Sequence, residues 1–140
     1  MVNQQFATAV HILTALAFNK KKLLNSEYLA ASVSTNPVVI RRLLSSLTKA
    51  NLVTTLRGKS GGVHLAKEPN QITLKDVYMA INLSDSICAS NKNPTKECPV
   101  SCSMQGILGT IADGTQKAIL KYLESQKLSD IIKKVPKPKN

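Results

Sequence analysis

Acidic residues are scarce in this chain. Eight Asp and Glu stand against nineteen Lys and Arg over 140 residues, leaving a formal net charge of +11. No spaced carboxylate pair and no Ser/His/Asp set can be assembled, so the common hydrolytic and acid–base chemistries have no candidates and the chain reads as a non-enzyme. The charge excess instead matches an acidic polymer or an anionic membrane surface. Long hydrophobic runs are missing too. The most apolar stretch, Ala7 to Phe18, is interrupted by Thr8, His11 and Thr14 and is too short to cross a bilayer. The start of the sequence lacks the charged-then-apolar pattern and small-residue cleavage site of a signal peptide, which leads to the expectation of a cytoplasmic protein. Aromatic residues are 4% of the chain, and none anchors the flanks of the long amphipathic segment near its end, which argues against docking on membranes. Cysteine is limited to Cys88, Cys98 and Cys102, an odd number that excludes a disulfide framework in a reducing compartment. Free thiols, metal ligands or redox sensors are what remain.

What is present is helical periodicity, punctuated by capping residues. Phe6, Ala9, Val10, Leu13, Leu16 and Ala17 recur at helical spacing, predicting a helix over residues 3–19 that ends in the basic run Lys20 to Lys22. Asn25 or Ser26 caps a short second helix with Glu27 in its first turn. After the turn "SVSTN", Asn36 is an N-cap and Pro37 suits the first helical position, so a third helix runs to about Ala50. Leu52 to Arg57 reads as a strand, Gly58 to Gly62 as a loop and Val63 to Ala66 as the returning strand. Thr73 and Asp76 form a capping box for a fourth helix, "TLKDVYMAIN". A polar loop holding Cys88 follows. From Pro99 to Ser125 the residues Met104, Ile107, Leu108, Ile111, Ala118, Ile119, Tyr122 and Leu123 keep a three-four spacing, which predicts one long helix. Gly106, Gly109 and Gly114 strain that reading: either the helix bends or breaks near residue 113, or the glycines admit a second helix at close range. Leu128 to Val135 suggests a last short helix, with "PKPKN" as a frayed tail.

Wound at 100° per residue, the third helix collects Ile40, Leu43, Leu44 and Leu47 on one apolar stripe. Val38, Arg42, Ser45 and Lys49 fall opposite, with Arg41 on the flank. Three helices, a short turn between the second and third, and a two-stranded hairpin directly afterwards make a winged helix-turn-helix. The fold class expected is mainly α with a small β-hairpin: a winged helix-turn-helix domain plus a long dimerisation helix. The second helix of the motif enters the major groove of DNA. Thr35, Asn36, Val38, Arg41, Arg42, Ser45 and Lys49 are the candidates for that surface, with arginine suited to guanine and Val38 to a thymine methyl. The loop "RGKSGG" becomes the wing tip, placing Arg57 and Lys59 along the backbone or in a minor groove. Its Gly58-Lys59-Ser60 matches the end of a nucleotide-binding phosphate loop. That motif also requires a glycine where Val53 stands, so nucleotide hydrolysis is rejected.

The domain organisation follows: residues 1–82 form the DNA-binding module, 83–98 a cysteine-containing loop, and 99–140 the long helix, short helix and tail. The apolar stripe of the long helix has little within so small a chain to cover it, so a two-fold homodimer is expected. Cys98 stands just before Pro99, where unpaired amides and the helix dipole favour a reactive thiolate; Lys96 reinforces this and Glu97 opposes it. Cys102, one turn on, shares its face, an arrangement suited to a soft metal or a dithiol. A disulfide within that turn is geometrically awkward, whereas Cys88 or a cysteine of a second subunit is an easier partner. A redox or electrophile switch centred on Cys98 is the preferred reading. His11 and His64 read as a helix-flank and a wing-strand residue rather than metal ligands.

On the segments "LAASVSTNPVVIRRLL", "LVTTLRGKSGGVHLAK", "ITLKDVYMAI" and "NPTKECPVSCSMQGIL" the chain resembles the Rrf-type winged-helix transcriptional regulators that include IscR, NsrR and CymR, and within them the YwnA-like branch. The resemblance covers nearly the whole length; many relatives carry an aromatic residue where this chain has Val63. It implies a homodimer on a pseudo-palindromic double-stranded DNA operator, usually as a repressor, with the long helix crossing to the partner. The cluster-binding members hold iron and sulfide with three cysteines in this region, so Cys88, Cys98 and Cys102 are possible iron–sulfur ligands, although their spacing departs from the tighter pattern of those members. No other cofactor is expected. A basic module docking on a protein or membrane is the alternative from a different class.

Overall fold

The structure is a computed structural model that describes residues 4–20, 22–81 and 97–137. Helix α1 (Gln4–Phe18) turns Ala9, Ile12, Leu13, Leu16 and Ala17 inward, the stripe that its spacing requires. Its end is closed by the Asn19 side chain, which donates to the Ala15 carbonyl at 2.8 Å. Helix α2 (Ser26–Val33) begins at Asn25, whose side chain accepts from the Tyr28 N–H at 2.7 Å, and stops at Ser34, held at φ 66°. Helix α3 (Pro37–Lys49) begins in the same way: Asn36 accepts from the Val38 N–H at 2.9 Å and Pro37 occupies the first turn. Each cap satisfies a helix-end amide that would otherwise lack a partner.

Strands β1 (Val53–Leu56) and β2 (Gly62–Leu65) pair antiparallel, Val53 opposite Leu65 and Leu56 opposite Gly62. Gly62, expected in the loop, is the first residue of β2. It pairs with Leu56, and beside it β2 gains a third, one-residue partner: Leu24 exchanges both backbone bonds with Val63, at 3.2 and 2.8 Å. At Gly62 a Cβ would lie 2.9 Å from the Leu23 Cβ and 3.0 Å from the Leu24 carbonyl, so only glycine lets this chain lie so close.

A 3₁₀ turn at Pro69–Gln71, which periodicity does not announce, leads into α4 (Leu74–Ala80). The expected capping box is formed: Thr73 Oγ1 accepts from the Asp76 N–H at 3.1 Å, and Asp76 Oδ2 from the Thr73 N–H at 3.0 Å. Helix α5 (Pro99–Glu124) is continuous through Gly114, so it does not break near residue 113. Beside Gly106, Gly109 and Gly114 a Cβ would meet nothing within 4 Å. Helix α6 (Leu128–Ile132) then returns to the first module. The Leu128 N–H donates to the Ile72 carbonyl and the Leu74 N–H to the Gln126 carbonyl, both at 2.9 Å.

The core is centred on α1 and wholly apolar: no polar or charged residue is buried among those described. Ile12, Leu13, Leu29, Ile40, Leu47, Leu52, Ile72, Val77 and Leu128 are fully enclosed. Each such side chain contributes about 1.5–3 kcal/mol over its exposed state. By contrast α5 has no buried residue, and Ile107 and Ile111 are 51% and 49% exposed. Its side-chain bonds to α4 fall in its second half, Tyr78 Oη donating to Gln116 Oε1 at 3.2 Å and Lys75 Nζ pairing with Glu124 Oε2 at 3.4 Å. The region expected to be a cysteine-containing loop, with Cys88, lies mainly outside the described residues, as does the end of the tail.

Candidate nucleic-acid interface

The turn between α2 and α3 is fixed by the left-handed Ser34 and by the Thr35 N–H, which donates to the Ala30 carbonyl at 2.9 Å. This sets α3 on the core through Ile40, Leu43, Leu44 and Leu47 and turns its other side outward. Val38, Arg41, Arg42, Ser45 and Lys49 are all exposed, and Thr35 is half-buried at the start of that face. Asn36 is also exposed, but its Oδ1 is engaged by the Val38 N–H. Its side chain therefore caps α3, and its amide nitrogen is the donor left for another molecule.

The neighbouring arginines differ. Arg41 Nη2 lies 3.2 Å from Glu27 Oε1 on α2, an ion pair that the sequence does not announce, since Glu27 reads there only as a first-turn acid of α2. A periodic pattern fixes which side of a helix a residue occupies and says nothing of which neighbouring helix stands there. The Arg42 guanidinium has no ion pair among the described residues.

Beyond α3, the hairpin holds Arg57 and Lys59 exposed at its tip. Gly58 takes φ 111°, a region that L side chains rarely adopt, and its carbonyl accepts from the Gly61 N–H at 3.0 Å. At Gly61 a Cβ would be 2.1 Å from the Leu56 carbonyl oxygen, which forbids any other residue in this turn. A cleft of about 510 Å³ opens between the end of α1 and β2, lined by Lys20, Lys22, His64, Lys67 and Glu68 among others. Lys20 pairs with Glu68 there at 3.4 Å.

Both histidines have structural partners: His11 Nε2 lies 2.9 Å from Ser32 Oγ, joining α1 to α2, and His64 Nδ1 lies 2.9 Å from the Leu65 carbonyl. Among the described residues no group of three or more His, Cys, Asp or Glu could hold a metal ion. Cys98 is the N-cap of α5 with no side-chain capping bond, and the Cys102 N–H donates to its carbonyl at 3.0 Å, so the two lie one turn apart. Both are exposed thiols. Two thiol donors at this spacing fit the soft-ligand chemistry of iron and sulfide; the third, Cys88, is not among the described residues.

Three comparisons bear on this arrangement. The family model Rrf2, described as an iron-dependent transcriptional regulator, matches residues 2–134. YwnA of Bacillus subtilis strain 168, provisionally described as an HTH-type transcriptional regulator, is 37% identical over 132 residues, covering 94% of this chain and 97% of YwnA. The HTH-type transcriptional regulator NsrR of Oceanobacillus iheyensis is 27% identical over 130 residues, covering 91% of this chain and 85% of NsrR. A crystal structure of a protein provisionally described as DNA-binding superposes with a TM-score of 0.73 at 37% identity, covering 91% of this chain and 98% of the other.

Proposed function

Because the chain belongs to the Rrf2 family of DNA-binding transcriptional regulators, which are not enzymes, we propose that it acts as a homodimeric, sequence-specific repressor on a pseudo-palindromic operator. The observation that carries this reading is the outer face of α3. It presents Val38, Arg41, Arg42, Ser45 and Lys49 opposite a fully buried stripe and is followed by a glycine-built hairpin with Arg57 and Lys59 at its tip. Helix α3 enters the major groove, where its first two turns meet base edges. The hairpin tip follows the backbone or a minor groove. Two copies join through the uncovered apolar side of α5, so that two α3 helices address half-sites about one helical turn, roughly 34 Å, apart. The test is selection from a random duplex library with the purified protein. The expected result is a consensus with inverted symmetry, bound by a dimer; an absence of any enriched sequence would overturn the reading.

A second reading concerns the signal. We infer a thiol switch centred on Cys98, favoured by its position at the head of a 26-residue helix with Cys102 one turn below. A peroxide takes the Cys98 thiol to a sulfenic acid with release of water; a second thiol, from Cys88 or a partner subunit, displaces another water and closes a disulfide. Such a bond displaces the α5 helices and changes the spacing of the two α3 helices. If the three cysteines hold an iron–sulfur cluster instead, Cys98, Cys102 and Cys88 are its ligands, and the cluster supplies a redox- and oxygen-sensitive centre at the same place. Absorption, iron and sulfide content of anaerobically purified protein separate the two: a coloured protein with stoichiometric iron supports the cluster, and a colourless, iron-free protein that binds DNA supports the thiol.

A further inference from the structure

We propose that Glu27 is a positioning residue for recognition: it holds the Arg41 guanidinium so that the remaining donor edge is presented to a base rather than to phosphate. This rests on the reading of α3 as the recognition helix. Glu27 is the sole acidic residue before Glu68, so the whole helix-turn-helix and hairpin region contains a single carboxylate. That one carboxylate is 3.2 Å from an arginine of α3.

Two simpler reasons for Glu27 are weaker. A stabilising ion pair is the first, but the two side chains are 58% and 65% exposed, and pairs in that setting add little to stability. The second is the dipole of α2, in whose first turn Glu27 sits. That effect needs no contact with Arg41. Against both stands a cost: a carboxylate beside a surface meant for phosphates repels them and weakens binding to every sequence alike. A residue that lowers general affinity is useful where it raises the difference between right and wrong sequences.

The chemistry of arginine supplies that difference. Its guanidinium is a flat, rigid fork of five N–H donors, and guanine is read by two coplanar donors on O6 and N7. An untethered fork on a DNA-facing helix turns to the nearest phosphate. With Nη2 engaged by Glu27, one corner of the Arg41 fork is held from outside α3, and its remaining N–H donors are left for a base. Arg42, with no such partner, remains a phosphate contact. The adjacent arginines thus divide the work, Arg41 reading a base and Arg42 holding the backbone.

The experiment compares wild type, Glu27→Gln, Arg41→Ala and the double variant on the wild-type consensus duplex and on a scrambled duplex of equal length, at one salt concentration. Glu27→Gln is expected to bind the scrambled duplex as tightly as wild type or tighter, and the consensus more weakly. The ratio of the two affinities then falls about tenfold, the order expected for one misaligned bidentate contact. In the Arg41→Ala background the same change is expected to leave the ratio unaltered, because Glu27 acts through Arg41. Equal tightening on both duplexes by Glu27→Gln, or an equal fall of the ratio with Arg41 absent, would overturn the proposal while leaving the DNA-binding reading intact. Failure of the wild type to select any consensus would overturn both.

Discussion

Asn36 is the residue at which the fold and the interface meet. Its Oδ1 caps α3 and so fixes where the exposed face starts. Asn36→Ala should cost about 1 kcal/mol of stability, the usual value for a lost cap, and lower the thermal midpoint by several degrees in a calorimetric scan. Arg42→Ala makes a different prediction. With no ion pair to lose among the described residues, it should unfold like wild type, bind all duplexes more weakly, and reduce the slope of log affinity against log salt by about 1 in a titration. Unchanged slope with unchanged affinity would remove Arg42 from the interface. At this scale the sequence was legible wherever a residue's role is local. Asn25, Asn36, Pro37 and the Thr73–Asp76 pair act within a few positions and appear in the structure as expected. The Arg41–Glu27 pair joins residues fourteen apart on separate helices, and no periodicity encodes it.

Among the elements, α5 carries the most consequence. Its glycines left open either a bend or break near residue 113 or the close approach of a second helix, and the helix is continuous through Gly114. Replacing Ile107 and Ile111 together by Glu should leave the helical module folded and shift sedimentation to the monomer. Operator affinity should then fall by at least tenfold as one half-site is lost; a dimer that persists would place the subunit contact elsewhere. The hairpin shows a limit of local reading. Gly62 looks like loop, yet it pairs with Leu56 in the hairpin, and the close approach of the Leu23–Leu24 segment, far away in sequence, is what requires glycine there. The fully enclosed Leu128 of α6 gives a matching test of packing. Leu128→Ala should destabilise the protein by about 2–5 kcal/mol in chemical denaturation, although α6 is far in sequence from α1, against which it packs.

The molecule as a whole is a basic reader built on an apolar core, with its acids kept behind residue 67 apart from Glu27. Its binding to duplex DNA should therefore weaken steeply with salt, by orders of magnitude between about 50 and 200 mM if several phosphates are contacted per dimer. A flat dependence in a filter-binding titration would contradict the charge argument. The winged helix-turn-helix order was legible from caps and periods alone. The return of α6 to the first module was not, since it depends on backbone bonds between Leu128 and Ile72 and between Leu74 and Gln126 that leave no compositional trace.

Those two bonds make the C-terminal end of α5 a fulcrum. The helix is a stiff rod of 26 residues, about 39 Å at 1.5 Å per residue, clamped at one end and carrying Cys98 at the other. Because Tyr78 already holds α5 at Gln116, the unsupported arm is about 26 Å, and over it a displacement of about 3 Å at the thiol end corresponds to a rotation of roughly 7°. If the proposed thiol switch operates, a modification no larger than one new covalent bond would be geared down into a small rotation at the held end of α5, with leverage rather than bulk setting its reach.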